Sequence, residues 1–148
     1  MKDEERLRAT ERFLHERIPL TRAMQVGVES FDERQLTLIA PLAMNHNHLG
    51  TAFGGSLAAL AMLAGYSLLW LELGERDAHV VVSESAFRFR RPVLGDLRAT
   101  CRRPAAEALA RFKRDFAAKG KARIQLAVEI AQDSEVAVVF SGTYVAKK

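Results

Sequence analysis

Between Phe53 and Leu71 the chain runs for 19 residues without a charge, and on either side of that run the apolar residues fall into other rhythms. Residues 3 to 17 place Leu7, Phe13, Leu14 and Ile18 at the spacing of one helical stripe, with Pro19 as its stop. "MQVGVESF" and "QLTLIAPL" alternate or run apolar around the polar turn "DERQ", which predicts a hairpin of strands near 24–31 and 35–42 with Pro41 at its end. From Gly55 to about Leu73 the period is helical again. Leu57, Leu60, Ala61, Ala64, Leu68 and Leu71 share one face, while Met62, Leu63, Leu69 and Trp70 cover the rest. A helix apolar on every side requires protein around it, and Gly74 supplies a left-handed cap. Strand signals follow at 79–93, 96–103, 121–132 and 135–148, the last two joined by a turn at Asp133-Ser134. Segment 104–119 starts with Pro and ends towards Gly as a helix does, yet "ARFKRDFA" within it alternates like a strand, and both readings stand.

The order of elements predicts an α+β fold: an antiparallel sheet curled around one apolar helix, with a further helix at the N-terminus. At 148 residues the chain has the length of one domain, 1–148, able to bury about two thirds of its unfolded surface in one core. A hydrophobic fraction of 49% and a charged fraction of 27% exclude a disordered chain, and a net charge of +4 is modest. The single cysteine, Cys101, excludes an intramolecular disulfide and a cysteine-cluster metal site. The first residues are charged every two or three positions, which fits neither a signal peptide nor a transit peptide, so the expected location is the cytoplasm. The uncharged run approaches the ~20 residues of a membrane span. Its Gly-Gly-Ser start, its alanines and its acidic flank (Glu72, Glu75) favour a globular core and no membrane.

Charge patterning points to one place on the chain. From Gln35 through Leu71 there is no Asp, Glu, Lys or Arg, and inside this stretch lies "NHNHLGTAFGGSL" (45–57). Gly54-Gly55 at a helix start lets a ligand approach bare backbone, where unpaired N–H groups and the helix dipole suit a developing oxyanion. The competing reading of the two glycines is a tight loop-to-helix turn and nothing more. No Ser–His–acid arrangement can be assembled, His46 and His48 have no carboxylate or thiolate beside them for zinc, and the phosphate-loop and dinucleotide patterns are missing. No metal and no cofactor is expected.

The loop 45–55 running into an apolar helix, followed by a strand ending "FRFRRPVLGD" (87–96), resembles the hot-dog fold of the thioesterase superfamily. The wording "NHNHLGTAFGGSLAALAMLAGY" looks like a small group of thioesterase-like domains found alone or fused behind an acetyltransferase-like domain. The resemblance implies a homodimer or homotetramer with active sites at subunit interfaces. It also implies an acyl thioester substrate carried on acyl carrier protein or coenzyme A. Some members of the group decarboxylate malonyl-acyl carrier protein to acetyl-acyl carrier protein at the start of bacterial fatty acid synthesis. Hydrolytic relatives carry a carboxylate seven residues past the second glycine, where this chain has Met62, or two residues earlier, where it has Leu60.

The sequence thus keeps an oxyanion site and lacks the hydrolytic acid, which suits decarboxylation of malonyl-acyl carrier protein. Thioester hydrolysis by water activated at His48 or Glu84 is the alternative. By the resemblance, Asn45 enters the site and is essential. With it stand Gly55, Ser56 and His48 as catalytic candidates, His48 supplying a proton near neutral pH. Asn47, Thr51, Gly54, Met62, Ser83, Ser85 and Arg90 are the substrate-binding candidates. Strand alternation puts Ser83, Ser85, Phe87 and Phe89 on the face towards the helix, and Glu84, Arg88 and Arg90 on the other. The basic groups at 88–91, 102–103 and 111–123 would steer an acidic carrier or coenzyme A phosphates. Nucleic acid is not expected, because aromatic residues are not interleaved with the charges.

Overall fold

The computed structural model describes residues 2–75 and 77–148. Helix α1 (Lys2–Arg17) carries the N-terminal stripe, and its Leu14 is fully buried. Pro19 does more than end it. A proline has no N–H to lose at a helix start, and here it opens a six-residue second helix, α2 (Pro19–Met24), so strand β1 begins at Gly27 and not near residue 24.

The strands β1 (Gly27–Phe31), β2 (Gln35–Ala40), β3 (His79–Phe89), β4 (Leu97–Arg102), β5 (Lys121–Gln132) and β6 (Glu135–Lys147) form one antiparallel sheet in the order β1-β2-β4-β5-β6-β3. The β5–β6 hairpin turns at Asp133 and Ser134, both with positive φ as a two-residue turn requires. Strand β3 stops at Phe89; Arg90 to Val93, expected to continue it, are a connection. Segment 106–119 resolves as helix: α4 (Ala106–Lys119) buries Leu109, Phe112 and Phe116 at helical spacing, so the alternation in "ARFKRDFA" was a helical face seen two residues at a time.

Helix α3 (Gly54–Leu73) is long and apolar enough to cross a membrane, but it fills the concave side of the sheet instead. Leu60, Ala61, Ala64, Leu68 and Leu69 are fully buried against strands β2 to β6, whose inward residues include Leu36, Leu38, Ala99, Ile130, Phe140 and Tyr144. The sheet has two edges: β1, which α1 covers through Arg8 and Glu11 bonded to Val28, and β3. Strand β3 bonds to β6 alone, and a stripe of α3 beside it (Ala58, Ala59, Met62, Tyr66) is only half-buried.

Candidate active site at the start of helix α3

The loop before α3 is held from within. Asn45 is 97% buried (3% exposed), and its amide nitrogen donates to Met24 O (2.9 Å) and Pro41 O (2.8 Å). Its backbone carbonyl accepts the Phe53 N–H at 2.8 Å. The amide cannot be turned round, since its oxygen would then face two carbonyl oxygens. One residue therefore ties the end of α2, the end of β2 and the residue that starts α3. Asn45 was expected to offer its N–H2 to a substrate; in this structure both hydrogens are committed to the Met24 and Pro41 carbonyls.

Asn47 is the second knot. Its Oδ1 accepts the N–H of Leu49 (2.8 Å) and Thr51 (3.2 Å), and its Nδ2 donates to Thr51 Oγ1 (2.8 Å). Backbone bonds Asn47 N to Thr51 O and Ala52 N to Val93 O close the loop. The ring of His46 stands 2.9 Å from Asn47 O, while His48 is exposed and its ring has no protein hydrogen bond among the described residues.

What the loop presents is the first turn of α3. Phe53 is the N-cap and supplies no side-chain bond; the first amide to find an acceptor is Leu57, bonded to Phe53 O at 3.0 Å. The N–H groups of Gly54, Gly55 and Ser56 have no acceptor among the described residues. Three free donors at the positive end of a 20-residue helix form a site for negative charge. Two half-exposed rings flank it. Phe53 folds back over Gly55, where a Cβ would overlap the ring, and Phe89 reaches Gly54 from the end of β3.

A groove of about 390 Å³ opens here, lined by Asn47, Thr51, Gly54 and Leu57 on one side and by Phe89, Arg90, Pro92 and Val93 on the other. No carboxylate lines it. Arg91 is neutralised by Glu135, whereas Arg90 makes no ion pair among the described residues. The structure therefore brings Asn47, Thr51, Gly54 and Arg90 to one groove, with Gly55 and Ser56 in the same first turn.

The other candidates lie apart from it. Met62 stands two turns further along α3, half-buried. Strand β3 carries a bulge between Val82 and Glu84, which takes Ser83 out of the expected alternation. Its hydroxyl donates to Thr143 O at 3.3 Å. Ser85, Phe87 and Phe89 pair with Gly142, Phe140 and Val138 and so face the helix side, while Glu84 pairs with Thr143 on the outer face. Glu84 is thus directed away from α3 of its own chain. Phe89 in the groove and Phe53 beside it were not among the candidate site residues, nor were the lining residues Leu57, Pro92 and Val93. The signal of the two rings was present: one directly before Gly54-Gly55, and the other directly before Arg90.

Residues 7–148 match the family model described as "Putative thioesterase (yiiD_Cterm)". The chain belongs to the YiiD_C family. Among solved structures, a protein of unknown function from Chlorobaculum tepidum TLS is similar to it at 34% identity and a TM-score of 0.92, over 99% of this chain and 96% of that one. A "putative thioesterase" from Shewanella oneidensis is similar at 29% identity and a TM-score of 0.84, over 98% and 99%. A "probable thioesterase" from Pseudomonas aeruginosa is similar at 27% identity and 0.78, over 95% and 94%. The YiiD_C chain has the hot-dog fold, its antiparallel sheet wrapped around α3.

Proposed function

We propose that this chain acts on an acyl thioester and that its reaction is decarboxylation of a malonyl thioester, carried by acyl carrier protein. The observation that supports this is a groove lined by Gly54, in the first turn of α3 where three successive N–H groups have no acceptor among the described residues, with no carboxylate in its lining. The thioester oxygen sits against the N–H groups of Gly54, Gly55 and Ser56. The bond between the methylene carbon and the carboxyl carbon then breaks, carbon dioxide leaves, and the electron pair moves onto the thioester as an enolate. The same amides hold the negative oxygen of that enolate, and one such donor is worth about 3 kcal/mol in the transition state. A proton delivered to the methylene carbon, from water or from His48 when charged, completes the acetyl thioester.

Hydrolysis needs something this groove lacks. A water must be activated by a base, and the two positions at which, by the resemblance, hydrolytic relatives carry the acid are Met62 and Leu60 here, while Glu84 is on the outer sheet face. A protein carboxylate about 4 Å from the substrate's own would also cost about 4 kcal/mol at an effective dielectric of 20. Arg90, free and exposed at the groove mouth, is placed to hold the phosphate of the carrier arm. The thioesterase reading has one observation in its favour besides the family description: His48 is exposed on the loop with its ring unengaged.

The working unit in this proposal is a homo-oligomer. The unpaired edge β3 and the half-buried stripe of α3 beside it leave the site's open flank to a second copy, which brings its own Ser85 and Phe89 near. Cytoplasmic location fits a carrier-bound substrate.

A panel of malonyl, acetyl and long-chain acyl thioesters tests the proposal with one thiol reagent and one chromatographic readout. Acetyl thioester formed from malonyl thioester, with long-chain substrates untouched, is the expected result. Free thiol released from any of them at a comparable rate would replace it with the hydrolase reading.

A further inference from the structure

At the other end of α3 the charges return, and they are arranged around a cavity. Glu72 has a side chain 4% exposed, and it is held by two cations: Arg103 Nη2 at 2.6 Å and Lys113 Nζ at 3.0 Å. A carboxylate this buried is retained only when paired, and it fixes both cationic heads in place. They form part of the wall of a cavity of about 850 Å³ between the β1–β2 turn, the end of β4 and α4. Arg34 and Arg102 line the same cavity, and neither has an ion-pair partner among the described residues. Glu33 is the one acid in the lining. The neighbouring Asp32 is turned into its own loop, accepting the N–H of Arg34 (2.7 Å) and Gln35 (3.0 Å), which holds its carboxyl below the usual range.

Two further features bear on what fits. Ala106, the first residue of α4, lines the cavity; its N-cap, Ala105, gives no side-chain bond, and among the described residues the first amide of this helix to find an acceptor is Leu109, on Ala105 O. Pro104, Leu109 and Ala110 add an apolar wall. The volume lies within the ~300–1,000 Å³ of small-ligand sites. The cations converge in a concavity rather than spreading over a convex face, which favours a small anion over an acidic protein surface. Arginine predominates, and its planar fork suits phosphate oxygens in pairs.

We propose that this cavity is a second binding site, for a small phosphate-bearing anion. Arg34, Arg102 and the start of α4 hold the phosphate, and the organic part lies along Pro104, Leu109 and Ala110. Eighteen helical rises separate Gly54 from Glu72, about 27 Å. The anion here does not touch the groove of its own chain, so the inference stands apart from the decarboxylase proposal. The phosphate has two possible sources: the nucleotide end of a coenzyme A thioester engaged with another copy, or a free nucleotide acting as an effector.

Calorimetric titration of the whole protein with pyrophosphate, ADP and coenzyme A tests it, on wild type and on Arg34→Ala, Arg102→Ala and the double variant. Both side chains are exposed, so folding is expected to survive, and a thermal melt checks that. Pyrophosphate and ADP should bind wild type, with affinity about tenfold or more weaker for each arginine removed and weaker again as salt rises. Arg34→Lys should recover only part of the affinity. Tighter binding of coenzyme A than of ADP assigns the source to the thioester, and the reverse assigns it to a nucleotide. Binding of none of the three, affinities unchanged in the double variant, or capture of an acidic peptide in preference to every phosphate compound would overturn the inference.

Discussion

The hydroxyl of Tyr144 donates to the backbone carbonyl of Met62 across 2.8 Å, reaching it through the space that Gly65 leaves open on α3. Tyr144 is fully buried on β6, so this contact fixes the helix against the sheet two turns beyond the groove. Tyr144→Phe removes one hydrogen bond while leaving the ring, and should cost about 1 kcal/mol. Gly65→Ala should cost more, about 1–3 kcal/mol, because its Cβ would overlap a hydroxyl that has nowhere to go. Urea denaturation of both variants measures the order.

Asn45 separates a positioning role from a catalytic one. Asn45→Ala leaves the carbonyl of Met24 buried without a donor and that of Pro41 with only the Met44 N–H at 3.3 Å, and should lower stability by about 1–3 kcal/mol as well as activity. Asn45→Asp, which keeps the shape and turns an oxygen towards the same carbonyls, should be at least as destabilising. Equal unfolding midpoints for wild type and both variants would show that Asn45 does not hold the loop.

Gly55→Ala isolates the groove from the fold. Alanine is the better helix former, so the melting temperature should hold or rise. Its Cβ displaces the Phe53 ring, which is half-exposed and can swing. Activity on thioesters should fall about tenfold or more at unchanged stability, the effect of losing part of the oxyanion contact.

Burial pushes the Cys101 thiol up to about 12 and raises the Tyr144 phenol as well. Ordinary values are 9.0 and 10.0, so below pH 9 both groups are protonated whether the chain is folded or not, and their contribution to stability is complete. Above pH 9 the unfolded chain loses these protons first. The unfolded state then binds fewer protons than the native one, and stability falls as pH rises towards 12. Denaturation midpoints measured between pH 8 and 11 should decline, and a thiol-alkylating reagent at pH 8 should label Cys101 only in denaturant.

Much of the fold was legible because its main signals are local. A helix apolar on all sides could only be a core, and Asp133-Ser134 between two alternating runs could only be a hairpin turn. Pro19 was ambiguous by nature: the same residue ends one helix and begins another. The bulge at Ser83 left no local mark, because a one-residue register shift is set by how β3 pairs with β6. In the site, the glycines announced the helix start, and the lack of charge from Gln35 to Leu71 announced a groove without carboxylates. The partners of Asn45 lie 21 and 4 residues away, and nothing in the order of residues joins them. The basic cavity draws Arg34, the pair Arg102-Arg103 and Lys113 from three parts of the chain, so only folding assembles it.

The central claim is that main-chain amides at the start of α3 stabilise an enolate in a groove without a protein acid. Malonyl thioester labelled at its free carboxyl carbon tests it most directly, with the label followed into gas and the thioester followed by mass. The account predicts that labelled carbon dioxide and unlabelled acetyl thioester appear in equal amounts, and that Gly55→Ala slows both together. Release of thiol with the label retained in free malonate would contradict it.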